Sequence, residues 1–358
     1  MIFKSKFNIN KKEISFNSPT YFIADIAANH DGSFDRVKRL VYLAKECEAD
    51  AIKFQHFLAP KIVSDFGFKN FGHKIAHQKK WKKSVYEIYE EYSFNRDWDE
   101  KIYELTKKIN IQWMTTPYDF DALEKTNKFS KAFKIGSGDI TWLDFIKAVS
   151  KKKKPIILST GASDIKDVTN AVKVINKFNN KICVMQCNTN YKNERKNFNH
   201  INLRVLNLYK KKFKNIILGL SDHTEGHSTV LGAITLGARI IEKHFTDDNK
   251  RNGPDHYFSM NPKSWKEMIK RTRELEDALG YEKKIIEQNE QESALVQRRC
   301  IRLNRKLIKG SIISIKDLDY LRPAPKNSLS PAYVKKILNK KLKKEKQKGA
   351  EIYLSDIS

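Results

Sequence analysis

The sequence predicts an α/β protein: a closed (β/α)8 TIM barrel followed by a small β-rich domain. Three observations predict it. From Tyr21 to about Phe245, eight short apolar runs alternate with longer amphipathic stretches, the pattern of parallel strands wound with helices. Every run ends in polar or charged residues, and barrel enzymes carry their chemistry at the strand ends. The tail repeats a short motif at fixed offsets, as domains with pseudo-symmetric halves do.

In order, the runs are Tyr21–Ala24, Ala51–Phe54, Ile111–Met114, Ala132–Ile135, Pro155–Leu158, Ile182–Met185, Ile216–Gly219 and Arg239–Glu242. Between the second and third lies a long aromatic and Lys-rich segment, Phe57–Asn110, ending in a helix expected over Trp98–Lys108. Insertions of this length are lids or binding loops over a barrel mouth, or plain surface excursions. Trp265–Leu279 has the spacing of a last amphipathic helix. The expected organisation is a barrel over 1–280, a Glu- and Gln-rich linker over 281–298 and the small domain over 299–358. In that domain Gly310 and Gly349 are each followed by Ile and then by Asp317 or Asp356 at equal offsets, a turn glycine, a buried residue and a capping acid.

With 358 residues, 40% of them hydrophobic, the chain can bury a large core and carry an appended domain. No run approaches the roughly 20 apolar residues of a membrane helix, and Met1–Lys12 lacks the apolar core of a signal peptide, so a cytoplasmic protein without membrane attachment is expected. Four scattered cysteines, Cys47, Cys183, Cys187 and Cys300, have no metal-finger spacing and read as reduced, mostly structural thiols. A formal charge of +27 invites a nucleic-acid reading. Yet 55 of the 69 basic residues are Lys and they spread along the whole chain, whereas phosphate and base recognition favours Arg in clusters. Specific nucleic-acid binding is therefore not expected, although the field would speed the arrival of an anionic substrate.

The strand ends supply the candidate site. Asp25 and Asn29 follow the first run, Lys53 and Gln55 lie in or after the second, and Thr115, Thr116 and Asp119 follow the third. Ser137 and Asp139 follow the fourth, Ser159 and Thr160 the fifth, Asn188 and Tyr191 the sixth. Ser221, Asp222 and His223 end the seventh, and Glu242 and His244 the eighth. Singly, each such residue is a capping or turn group. His223 and His244, on neighbouring strands beside Asp222 and Glu242 and with Asp25 and Asp255 at hand, suit a divalent ion with mixed nitrogen and oxygen ligands; the rival reading is a pair of hydrogen-bonded structural histidines. Lys53 and Lys134 interrupt apolar strands, a costly placement unless an anion reaches them. With Thr115, Thr116, Ser159, Thr160 and Gly161 they would cradle a carboxylate and a phosphate; a Schiff-base lysine is the functional alternative.

These residues fall in stretches that resemble the N-acetylneuraminate (sialic acid) synthase family over nearly the whole chain. The stretches are Ala24-Asp25-Ile26-Ala27-Ala28-Asn29-His30-Asp31-Gly32, Ile52-Lys53-Phe54-Gln55, Thr115-Thr116-Pro117-Tyr118 and Phe133-Lys134-Ile135-Gly136-Ser137-Gly138-Asp139. Then come Leu158-Ser159-Thr160-Gly161, Gly219-Leu220-Ser221-Asp222-His223-Thr224, Ile241-Glu242-Lys243-His244-Phe245-Thr246 and Gly253-Pro254-Asp255 with Ser259-Met260-Asn261-Pro262. The tail resembles the family's antifreeze-like (SAF) domain, Leu321-Arg322-Pro323 matching its arginine-bearing turn.

The resemblance implies a transferase that condenses phosphoenolpyruvate with the open-chain aldehyde of N-acetylmannosamine or a related N-acetylated amino-sugar. It implies Mn²⁺ or Mg²⁺ on His223 and His244, and phosphoenolpyruvate among Lys53, Thr116, Lys134, Ser137, Ser159, Ser221 and His223. Asp25, Gln55, Tyr191, Glu242, Asp255 and Arg322 would meet the sugar, and Asp139 would help activate water. It further implies a homodimer with swapped C-terminal domains, Arg322 reaching the other subunit's sugar. Three departures accompany it: Asp25 stands where bacterial members carry Glu, the sixth strand reads Gln186-Cys187-Asn188-Thr189-Asn190-Tyr191 with its asparagine displaced, and the segment around His77 to Ser84 differs. Relatives making legionaminic or pseudaminic acid share all these motifs, so either is an alternative; a barrel that has lost catalysis and only binds sugar is another.

Overall fold

The first element is one that the apolar runs do not announce: an antiparallel hairpin of β1 (Lys6–Ile9) and β2 (Lys12–Ser15), with Phe7 opposite Ile14. It turns at Asn10, whose φ of 53° is a left-handed conformation that asparagine tolerates. Phe7, Ile9 and Ile14 pack on Tyr21, Ile23, Ala51, Met114 and Ile157, near the starts of the strands that follow, and so plug the bottom of the barrel. The computed structural model describes residues 1, 3–71, 78, 81–191 and 194–358. They form two compact units, Met1–Gly280 and Tyr281–Ser358.

All eight apolar runs are strands: β3 (Tyr21–Asp25), β4 (Ala51–His56), β5 (Gln112–Pro117), β6 (Phe133–Ile135), β7 (Ile156–Ser159), β8 (Ile182–Cys187), β9 (Ile217–Asp222) and β10 (Ala238–His244). They pair in parallel in sequence order, and β10 closes on β3 with Ile240 opposite Tyr21 and His244 opposite Asp25. This is the (β/α)8 barrel. Several strands outrun their apolar stretch, β4 through Gln55 and His56, β9 through Asp222 and β10 through His244. Ladder hydrogen bonds do not depend on side-chain polarity, so apolarity marked only the part of each strand behind the mouth.

Helices cover the barrel: α1 (Phe34–Glu46), then α2 (Ala59–Ile62), α3 (Asp65–Asn70), α4 (Val85–Glu91) and α5 (Asp99–Lys108) within the long insertion. Behind them come α6 (Phe120–Asn127), α7 (Leu143–Lys151), α8 (Ile165–Phe178), α9 (Val205–Lys212), α10 (Ser228–Thr235) and α11 (Pro262–Leu279). In α8, Val168, Ala171, Val172 and Ile175 make the buried stripe, and Asp164 and Asp167 form a capping box at its start. Each buried Val or Ile of that stripe contributes roughly 1.5–3 kcal/mol of transfer free energy. Of the divergent segment around His77 to Ser84, His77 lies outside the described residues, while Ser84 caps α4 with Glu87. Among the described residues no helix is long and apolar enough to cross a membrane.

In the second unit the polar stretch read as a linker carries a short helix, α12 (Gln291–Gln297), as its Gln, Glu, Ala and Leu content permits. β11 (Cys300–Leu303) then pairs antiparallel with β12 (Leu318–Leu321). Its core joins Ile301, Leu303, Ile313, Ile337, Leu342 and Ile352. The repeat has physical form: Gly310 and Gly349 both turn at φ 82°, Ile313 and Ile352 are fully buried, and Asp317 and Asp356 each accept a backbone N–H three residues upstream at 2.9 Å.

Candidate active site

A cavity of about 400 Å³ opens at the C-terminal ends of the barrel strands. Asp25, Lys53, Gln55, Thr116, Lys134, Ser137 and Asp139 line it from the first half of the barrel, and Ser159, Tyr191, Ser221, His223, Glu242, His244 and Asp255 from the second. The barrel residues expected to meet phosphoenolpyruvate, sugar or metal are therefore brought together. Arg322 is exposed just beyond β12, in the other unit.

Two buried ammonium groups organise the floor. Lys53 Nζ lies 2.7 Å from Asp25 Oδ2, 3.0 Å from Thr116 Oγ1 and 3.7 Å from Glu242 Oε2. Lys134 Nζ donates to Glu242 Oε1, which Ser221 Oγ also reaches at 3.2 Å. Burial alone would raise the Asp25 carboxyl, but the charge of Lys53 and hydrogen bonds from Lys53 and Gln55 outweigh it and hold the group at about 2. Burial also disfavours the Lys53 cation, yet Asp25 and Glu242 push its pKa above the usual lysine value. Ser159 Oγ, Glu242 Oε2 and Asp139 Oδ2 are buried without a hydrogen-bond partner among the described residues, so the cavity is lined with polar atoms that a ligand would satisfy. Gly161 allows the close packing here: its N–H donates to Ser137 Oγ at 2.9 Å, and a Cβ would fall 2.5 Å from Thr189 Cγ2.

The two imidazoles stand side by side, ring centroids 5.4 Å apart. His223 Nδ1 is 2.9 Å from the Asn188 carbonyl, a partner that fixes it as the protonated nitrogen and leaves Nε2 as the donor atom. The Cys187 thiol is hydrogen-bonded to the same ring. Burial, seconded by the nearby cations His223, Lys53 and Lys134, lowers His244 to about 3 despite Asp25, so its ring is neutral. Its Nδ1 is buried without a hydrogen bond among the described residues, 3.9 Å from Asp255 Oδ2. Among the described residues no three His, Cys, Asp or Glu groups stand as a ready metal cage. Two adjacent imidazoles, that of His244 neutral, with carboxylates nearby fit an open site, in which substrate or water completes the coordination.

Burial also raises two carboxyls at the mouth to about 6, Asp139 by desolvation and Asp255 by desolvation and then the Asp25 charge. For Asp139 the folded value lies above the unfolded one, so the folded state holds the proton more tightly and stability falls as pH rises from about 4 to about 6. Asp139→Asn is accordingly expected to be more stable than the parent at about pH 8, by on the order of 2 kcal/mol, and to lose that advantage near pH 4. Thermal melts at the two pH values check it, and equal gains at both would refute the assignment.

Some strand-end candidates face the other way. Thr115 Oγ1 is 2.6 Å from His56 Nδ1, Thr160 Oγ1 donates to the Met185 carbonyl at 2.8 Å, and Asp222 holds Lys243 and Thr229 outside the barrel. Asn29 tethers Phe245 and Ser259, and the Asn188 side chain reaches the His200 carbonyl. Asp119 caps α6. None of these lines the cavity. Alternation turns neighbours to opposite faces, so Thr115 and Thr116 cannot both face the site. The sequence reading missed Cys187, taken as structural but lining the cavity; of the two readings open for the insertion, binding loop or surface excursion, the cavity wall of Ile62, Val63, Phe68, Ile88 and Tyr89 matches the first. The aromatic density of Phe57–Asn110 was the available signal.

Comparison with known proteins adds the relationships. The NeuB family model matches residues 40–284. An uncharacterized protein of Methanocaldococcus jannaschii is 34% identical over 98% of both chains. The N,N'-diacetyllegionaminic acid synthase of Campylobacter jejuni is 32% identical over 90% of this chain and 95% of its own. The crystal structure of N-acetylneuraminic acid synthetase from Leptospira borgpetersenii, in complex with citrate, superposes with a TM-score of 0.70 at 26% identity, covering 81% of this chain and 95% of that one.

Proposed function

Because the chain belongs to the NeuB family, we propose that it condenses phosphoenolpyruvate with the open-chain aldehyde of an N-acetylated amino-sugar, yielding a nonulosonic acid and phosphate. The observation that carries the reading is the buried pair Lys53 and Lys134 in one cavity with the hydroxyls of Thr116 on β5, Ser137 after β6, Ser159 on β7 and Ser221 on β9. Two cations and several neutral donors in a desolvated pocket suit a small, multiply charged anion.

In this reading Lys53, Thr116, Lys134, Ser137, Ser159, Ser221 and His223 seat phosphoenolpyruvate, with its C3 facing the sugar. Asp25, Gln55, Tyr191, Glu242 and Asp255, with Arg322 of the SAF-like tail from the partner in a swapped dimer, orient the aldehyde. His223 and His244 would hold Mn²⁺ or Mg²⁺, which when bound supplies Lewis-acid polarisation of the aldehyde oxygen. The C2=C3 π pair forms the new bond from C3 to the aldehyde carbon, the C=O π pair passes to the aldehyde oxygen, which takes up a proton from water, and C2 is left cationic. Asp139 takes a proton from the water that adds to C2. Cleavage of the C2–O bond to phosphate, as the C2 hydroxyl gives up its proton to the departing phosphate, then leaves the keto acid.

N-acetylmannosamine is the first sugar to try. A 2,4-diacetamido-2,4,6-trideoxyhexose is the second, favoured by the apolar wall of Ile62, Val63, Phe68 and Ile88, which suits methyl groups better than hydroxyls. Purified protein with Mn²⁺, phosphoenolpyruvate and either sugar is expected to release phosphate and to give a product whose mass equals the sugar plus the three-carbon unit. No phosphate with either sugar would sink the reading.

A further inference from the structure

Asp31 takes no part in the chemistry above, yet three basic side chains converge on it. His256 Nε2 lies 2.8 Å from its Oδ1. Arg251 places Nη2 at 2.8 Å and Nε at 3.0 Å from its Oδ2, and the Arg36 guanidinium stands 2.9 Å from the same oxygen. The other nitrogen of His256 is 2.7 Å from Thr246 Oγ1, and the ring is fully buried. Arg36 also forks onto Asp247 at 2.9 and 3.2 Å.

This cluster ties two loops. Asp31 follows β3, while Asp247, Arg251 and His256 follow β10. Between Arg251 and His256 in sequence sits Asp255, whose Oδ2 accepts from the Ala28 N–H at 3.1 Å and whose carbonyl accepts from Ser259 Oγ at 2.7 Å. The backbone just before it passes against the His256 ring so closely that a Cβ on Gly253 would lie 2.6 Å from His256 Cδ2. The position of the Asp255 carboxylate over the mouth thus depends on where His256 and Arg251 are held. The ammonium groups of Lys53 and Lys134 sit on strands and do not.

We propose that the Asp31–His256–Arg251 cluster is a positioning device that clamps the loop after β10 onto the loop after β3, sets Asp255 against the sugar, and leaves the phosphoenolpyruvate end of the site untouched. The inference rests on the synthase reading above. A cluster that served only to hold the fold together would move stability, or both substrates' KM together. A clamp on Asp255 moves the sugar alone.

The test uses steady-state kinetics of the full chain with each substrate varied in turn, for the parent, Asp31→Asn and Arg251→Met. The Arg251 side chain is 40% exposed, so its replacement leaves the core intact and decides the matter if Asp31→Asn fails to fold. Both variants are expected to raise the sugar KM about tenfold while the phosphoenolpyruvate KM stays within about threefold, the scale on which small misplacements of a contact act. A sugar KM within about twofold of the parent, or the two KM values rising in parallel, overturns the clamp. A parent enzyme that releases no phosphate sinks the synthase reading and the clamp's role with it, whereas an active parent with unmoved variants sinks the clamp alone.

Discussion

Lys134→Met lowers kcat/KM for phosphate release by at least about a thousandfold, because it removes one of two desolvated cations from the face meant for the anion. The same change strands Glu242 Oε1, which now accepts from Lys134 and Ser221 in a buried setting. Breaking one side of such a pair costs roughly 3–5 kcal/mol, since the remaining carboxylate is left in low dielectric with a weaker partner. Lost folding and lost chemistry would therefore arrive together. Lys134→Met combined with Glu242→Gln separates them: the neutral isostere relieves the stranded charge and restores most of the melting temperature, while activity stays absent. A single variant that folds and turns over within about tenfold of the parent would mean that Lys134 is a structural counter-ion to Glu242 and nothing more.

Removal of metal by a chelator is expected to suppress phosphate release by at least about a hundredfold, with Mn²⁺ restoring it. His244→Ala should do what chelation does and should not be rescued by Mn²⁺. The expectation stands on two imidazoles whose rings neighbour each other, one with Nδ1 engaged by a carbonyl and the other with a buried nitrogen that bonds to nothing described. Calorimetric titration of Mn²⁺ gives a reading independent of turnover, since binding should weaken in His244→Ala with no substrate present. Full activity after exhaustive chelation, together with an active His244→Ala, would favour the structural-histidine reading.

The barrel was legible because each strand of a parallel sheet is buried on both faces and reads as an unbroken apolar run. That same property hid which side chains face the site. A half-solvated strand alternates apolar with polar and so declares its phase; a barrel strand does not, and Thr115 and Thr116, or Asp222 and Ser221, look equivalent until the register is known. The family likeness picked the inward member in each of these pairs, Thr116 and Ser221. Cys187 was passed over because scattered cysteines in a large chain are usually inert, and only the fold brings its thiol to His223. The opening hairpin escaped notice since Lys6–Ser15 alternates too briefly beside Lys-rich turns to stand out. The hub at Asp31 was visible only as a motif letter: its partners Arg251 and His256 lie more than two hundred residues away.

That small hairpin has a consequence for traffic. With Tyr21, Ile23, Met114, Ile157, Met185 and Ile240 filling the barrel and Phe7, Ile9 and Ile14 packed beneath them, no passage runs through it among the described residues, and what enters the cavity at the strand ends leaves on the same side. On the synthase reading the anion's two lysines stand on β4 and β6, while of the sugar's contacts Asp25, Gln55 and Glu242 stand on strands and Tyr191 and Asp255 on the loops beyond β8 and β10. On that reading a sugar lying against those loops would stand between the lysines and the opening, so anion before sugar is the expected order of binding, which product-inhibition kinetics checks.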